Sequence, residues 1–90
     1  MSHAVVMHVK LLDGGASEEG ERMLKELVVP HAKAQPGFLS GTWMSKDGNG
    51  MGVVVFDSAE HAAAAEEALK PPPGGPELVS TAVYEVGASA

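Results

Sequence analysis

Two strand-like runs in this chain are apolar on both faces, and that constrains the fold more than any motif does. Side chains alternate along a strand, so His3 to Leu11 sets Val5, Met7, Val9 and Leu11 on one side and Ala4, Val6 and His8 on the other. Met51 to Phe56 carries Val53-Val54-Val55, equally unsuited to a solvated face. A strand of this kind is covered on both sides. Yet the chain has 90 residues, the length of one domain, and a chain this short buries only about 60–65% of its unfolded surface. Small domains make up the shortfall with disulfides, metals or association. There are no cysteines, which excludes disulfides and thiolate metal sites. Association remains, and it suits a chain that is 44% hydrophobic.

The order of the remaining elements follows from local signals. Asp13-Gly14-Gly15 breaks the first strand. A helix is expected from Ser17, whose hydroxyl can cap the first turn, with Glu18, Glu19 and Glu21 at the positive end of its dipole. Leu24, Leu27, His31 and Ala34 form its apolar stripe, flanked by Met23 and Val28. Pro30 removes a helical hydrogen bond and predicts a kink, with one more turn to Gln35 before Pro36-Gly37 ends the helix. Strand two is expected over Phe38 to Ser45, then a hairpin at Lys46-Asp47-Gly48-Asn49-Gly50, whose Asp-Gly and Asn-Gly pairs suit positive φ. Gly48, Gly50 and Gly52 read as hairpin glycines, since no helix follows them as in a phosphate-binding loop. The second helix begins at Asp57 or Ser58, with Asp57 and Glu60 spaced as a capping box. Ala62, Ala65, Ala68, Leu69 and His61 share one side of it; Glu60, Glu67 and Lys70 lie opposite. Pro71-Pro72-Pro73-Gly74-Gly75-Pro76 is a rigid connection. It leads to strand four, Leu78 to Val86, with Val79, Thr81 and Val83 alternating against Leu78, Ser80, Ala82, Tyr84 and Val86.

The sequence thus predicts a β-α-β-β-α-β chain. A hairpin pairs strands two and three antiparallel, and right-handed crossovers give a ferredoxin-like α+β fold: a four-stranded antiparallel sheet with both helices, near 18–35 and 58–70, on one face. The other face would be bare and apolar, and a second copy is its simplest cover. A homodimer through the open sheet face is therefore expected.

The net charge of −6, with six scattered basic residues against twelve acidic ones, argues against nucleic-acid binding. No apolar run approaches a membrane span, and no signal-peptide pattern opens the chain, so the expected location is the cytoplasm.

The chain resembles the dimeric α+β barrel superfamily, in particular the antibiotic biosynthesis monooxygenase-like group. The resemblance runs over nearly the whole chain. It is carried by the Gly-broken first strand, Gln35-Pro36-Gly37-Phe38, Ser40-Gly41-Thr42-Trp43, Val53-Val54-Val55-Phe56-Asp57-Ser58 and Val83-Tyr84-Glu85-Val86. It implies a dimeric α+β barrel whose relatives include cofactor-free oxygenases of anthrone-like aromatics, haem-degrading enzymes, isomerases and proteins with no known reaction. Oxygenase and haem-degrading members tend to carry a polar residue on strand one and a tryptophan on strand three. Here strand one offers His3, Val5, Met7 and Val9, strand three offers Phe56, and the single tryptophan, Trp43, is on strand two.

The candidate chemistry is a pair of histidines. His31 and His61 each lie on a helix stripe that faces the sheet, and the topology is expected to bring them to one end, with His3 nearby. Imidazole is the usual acid/base group near neutral pH, so both are candidate catalytic residues; the alternative is that each is a half-buried histidine with a backbone partner. No ligand spacing points to a metal, and no cofactor is expected. Met7, Trp43, Phe56 and Tyr84 are candidate walls for a flat aromatic ligand, or else plain core and dimer-face residues. Two functions stay open: a cofactor-free monooxygenase of anthrone- or quinol-like molecules, and a non-catalytic dimeric ligand-binding or interaction module.

Overall fold

The computed structural model describes residues 2–11, 22, 24–71 and 76–90. The expected start of helix one, the Asp13-Gly14-Gly15 break and Pro72 to Gly75 lie outside them. The elements are β1 (His3–Lys10), a π-helical turn (Leu24–Val28) that continues as α1 (Val29–Lys33), β2 (Phe38–Lys46), β3 (Asn49–Phe56), α2 (Ala59–Ala68) and β4 (Glu77–Glu85). The strands form one sheet in the order β2-β3-β1-β4, and every neighbouring pair is antiparallel. Both helices lie on one face. Ala32 of α1 and Ala62 and Ala65 of α2 share a buried cluster with Val5, Val54 and Phe56 of the sheet. This is the ferredoxin-like α+β architecture expected from the sequence.

The inner faces of both helices are methyl groups: Ala32, Ala62 and Ala65 are at most 1% exposed and share one cluster with the sheet. Pro30 acts less simply than a bare kink. It has no N–H to return to a carbonyl four residues back, and the chain takes the wider π turn just before it. π turns commonly absorb such a fault. The β2–β3 hairpin closes on Asp47 (φ 51°) and Gly48 (φ 82°), the pair of positive φ values that a two-residue type I′ turn requires. Gly50, expected in the turn, lies within β3, as does Gly52.

The edge strands depart from strict alternation. Phe38 pairs with Phe56 and Ser40 with Val55, so Leu39 is an extra residue in β2. Leu78 pairs with Val9 and Ser80 with His8, so Val79 is extra in β4. Each bulge throws its apolar residue outward: Leu39 is 57% and Val79 is 64% exposed. The β4 bulge also brings Leu78, expected opposite Thr81 and Val83, onto their face.

The register divides the sheet into two faces. Under the helices lie Val5, Met7, Gly52, Val54, Phe56, Trp43, Thr81 and Val83. The open face presents Ala4, Val6 and His8 of β1, Met51, Val53 and Val55 of β3, Thr42 and Met44 of β2, and Ala82 and Tyr84 of β4. Met44 and Tyr84 are exposed there.

Candidate functional site

The best-built polar group lies where β3 turns into α2. Ser58, not Asp57, caps the helix, its hydroxyl oxygen accepting from the His61 amide at 3.2 Å. That leaves the Asp57 carboxylate free to reach one turn along, and its Oδ1 accepts from His61 Nδ1 at 2.6 Å. The hydrogen bond from His61 is the main reason the Asp57 carboxyl is held below the ordinary aspartate value of 3.8. Asp57 is therefore ionised near neutral pH and can only accept, so Nδ1 carries the proton and Nε2 of a neutral His61 is left with its lone pair. A basic nitrogen backed by a carboxylate can take a proton, and the carboxylate stabilises the imidazolium that forms.

The surrounding backbone leaves no slack around this pair. The Asp57 amide donates to the Gly37 carbonyl at 2.9 Å, joining the end of α1 to the start of α2. Gly37 has φ 81°, and a Cβ there would overlap both Asp57 Oδ1 and His61 Nδ1. Glycine is needed twice over, for the left-handed backbone and for the dyad's space.

The pair makes stability pH-dependent with a definite sign. The folded-state carboxyl lies below its unfolded value, so its stabilisation is fully present above about pH 4 and is lost as pH falls through the folded pKa. Urea midpoints followed downward from pH 5 should fall more steeply for the wild type than for Asp57→Asn; parallel curves would show that the bond adds nothing.

His31 is held differently. Its Nε2–H donates to the Ala68 carbonyl at 3.0 Å, which ties α1 to the last turn of α2. The tautomer is thereby set, with Nδ1 as the open acceptor. The expected meeting of the two rings does not occur: His61 is in the first turn of α2 and His31 docks at its last. β1 and β2 both run antiparallel to β3, so the two helices run in opposite senses. Helical side chains lean toward their own N-terminus, which carries the two rings apart. His3 pairs with Phe56 and so lies at the His61 end. Among the described residues no group of three or more His, Asp or Glu side chains could hold a metal ion.

Trp43 lies on the helix side and packs against the core. A Cβ at Gly41 would come within 2.7 Å of its Cη2, and one at Gly52 within 3.0 Å of its Cδ1. The indole therefore lies across two bare stretches of backbone, which explains a mid-strand Gly52 better than a turn does. Met7 pairs with Gly52 on the same face and is half-buried. Phe56 is 0% exposed and stacks edge-to-face on Phe38 at 6.2 Å, a core residue more than a pocket wall. Tyr84 is on the open face, away from Met7 and Trp43. Sequence reasoning missed Asp57 as the partner of His61, although the i, i+4 spacing signals it. It also missed the bond from Thr81 Oγ1 to Glu66 Oε2, 3.1 Å, which fastens α2 to β4.

No family model matches the sequence, and no curated protein matches it. Among solved structures, the chain is similar to the N63A mutant of SnoaB, a cofactor-independent oxygenase from Streptomyces nogalater. The TM-score is 0.66 at 16% identity, over 98% of this chain and 95% of that one. At that identity the likeness establishes the fold over nearly the whole chain: a ferredoxin-like α+β fold shared with a cofactor-independent oxygenase.

Proposed function

We propose that the protein is a small-molecule monooxygenase that works without a cofactor on a flat, electron-rich aromatic of the anthrone or quinol kind. The observation that carries the reading is the His61–Asp57 dyad, whose proton arrangement leaves a basic Nε2. In such chemistry a base removes a proton from the substrate, and the resulting anion itself reacts with dioxygen. The protein then needs an apolar surface, a proton acceptor and a positive charge near the anion. His61 is the acceptor, and its imidazolium, backed by Asp57, faces the anion it has made. His31 is the second candidate, through Nδ1. Trp43 and Met7 supply the apolar wall, with Phe56 behind them; Tyr84, on the open face, belongs to the association described next. The likeness to a cofactor-independent oxygenase supports the reaction class, and no substrate is carried over from it.

Two copies associate through the open sheet face in this proposal. At about 4.8 Å between strands and 3.3 Å per residue, four strands of eight residues cover roughly 19 by 26 Å. That lies at the upper end of the apolar patches monomers leave in water. A non-catalytic module of the same fold is the competing reading, favoured by the close alanine packing under α2. The test is oxygen uptake by the metal-free protein with an anthrone-like substrate. Uptake above the spontaneous rate supports the enzyme; quenching of Trp43 fluorescence by the aromatic without uptake supports the binding module.

A further inference from the structure

Gly37 sits in the corner between α1 and β2 and meets α2 in two ways. Its carbonyl accepts from the Asp57 amide at 2.9 Å. Its Cα lies against the Asp57–His61 hydrogen bond: a Cβ there would overlap Asp57 Oδ1 and His61 Nδ1, the two atoms that share the proton, and would come within 2.8 Å of the ring's Cγ. The corner itself is fastened on both sides. Before it, Gln35 Nε2 donates to the His31 carbonyl at 3.2 Å, and His31 Nε2–H donates to the Ala68 carbonyl at 3.0 Å. After it, Phe38 donates its amide to the Gln35 carbonyl at 3.3 Å and stacks its ring on Phe56 at 6.2 Å. The stretch 31–37 is thus tied to α2 at both ends, to Ala68 at one and to Asp57 at the other.

We infer that Gly37 is a positioning residue for the dyad: the α1–β2 corner seats the Asp57 carboxylate on His61 Nδ1 and so leaves His61 to work through Nε2. Its effect on rate rests on the proposed reaction; its effect on the imidazole rests on geometry alone. Burial does not lock the pair, since both side chains are about half-exposed, and exposed partners of this kind turn readily to water. Two features of the corner hold them together. The backbone bond to the Gly37 carbonyl fixes the Asp57 main chain from which the carboxylate reaches. The bare Cα closes one side of the hydrogen bond without crowding it, which a residue with any side chain cannot do. A Cβ at position 37 would force Oδ1 and Nδ1 apart. The carboxylate would then no longer hold the proton on Nδ1, and a neutral ring could carry it on Nε2 instead, the tautomer that cannot accept there.

Long-range proton–nitrogen correlation spectra of the His61 ring, taken above about pH 8 where imidazoles are neutral, test this by reading the tautomer. The wild type is expected to carry Nδ1–H, and Gly37→Ala to shift toward Nε2–H as Asp57→Asn does. Alanine is also strained by the left-handed backbone, so Gly37→Asn is the companion variant: asparagine tolerates that φ and still brings a Cβ, and it should shift the tautomer too. A wild-type ring carrying Nε2–H, or an unshifted tautomer in either variant, overturns the inference. Oxygen uptake gives the second readout. Gly37→Ala should lower it, and adding Gly37→Ala to Asp57→Asn should cost less than about 2-fold more, because both act through one ring. Full additivity would make Gly37 a merely structural residue and overturn its positioning role. A wild type with Nδ1–H, shifted by both variants but taking up no oxygen, would refute the proposed reaction and still support Gly37 as the seat of the dyad.

Discussion

Replacing His61 by alanine is expected to lower oxygen uptake about 10²–10⁴-fold, the range that a general base contributes. His61 Nδ1–H is committed to Asp57 at 2.6 Å, so Nε2 is the nitrogen that meets substrate, and alanine removes it. Asp57→Asn should fall within the same range but lose less, because the imidazole remains while its tautomer and its counter-charge are no longer enforced. His31→Ala separates the two candidates. Its ring links α1 to the end of α2, so its loss should appear as a lower urea midpoint with most of the uptake retained. Full activity in His61→Ala together with collapse in His31→Ala would reverse the assignment. Circular dichroism checks the fold of each variant, and His61→Ala is expected to remain folded because the His61 side chain and its Asp57 partner are both about half-exposed.

The second large effect is expected at Val53. It sits in the middle of the open face, paired with Val6 and Thr42, and points away from the cluster under the helices. Val53→Asp should leave each chain folded and raise the dimer Kd more than about 100-fold, since a buried unpaired carboxylate costs several kcal/mol. Sedimentation at micromolar concentration should give twice the 9.2 kDa chain mass for the wild type and the single mass for the variant. A dimeric Val53→Asp would place the interface elsewhere. A monomeric wild type would remove the premise that this face needs cover.

The sequence made the sheet readable because alternation, two turn signals and an alanine helix all point one way. Asp47-Gly48 sits in the turn as its φ preference demands, and Val53 to Phe56 lies in a strand with both faces apolar. What was hidden lies between elements. Leu39 and Val79 bulge from the two edge strands, and nothing in their local sequence separates a bulged apolar residue from a paired one. The face taken by Trp43 depends on register, which the glycines at 41 and 52 help to set by leaving room for an indole. The stripe expected for helix one is not the one that meets the core: Ala32 is buried while Leu27 is 60% exposed and His31 and Ala34 are exposed, because the π turn before Val29 advances by less than the regular helical angle per residue and turns another face inward. Stripe angle says which side of a helix a ring occupies, while the lean of the side chain decides which end of the neighbouring helix it reaches. Asp57 and Ser58 both suit the cap by residue type; Ser58 takes it, which leaves the Asp57 carboxylate for His61.

In the proposed reaction a carboxylate-backed imidazole at position 61 takes the substrate proton. Chemical rescue tests it most directly: oxygen uptake by His61→Ala with an anthrone-like substrate, measured with and without added imidazole. Free imidazole is expected to restore part of the lost rate in a concentration-dependent way and to leave the wild type unchanged. Wild-type uptake by His61→Ala without any imidazole would contradict it.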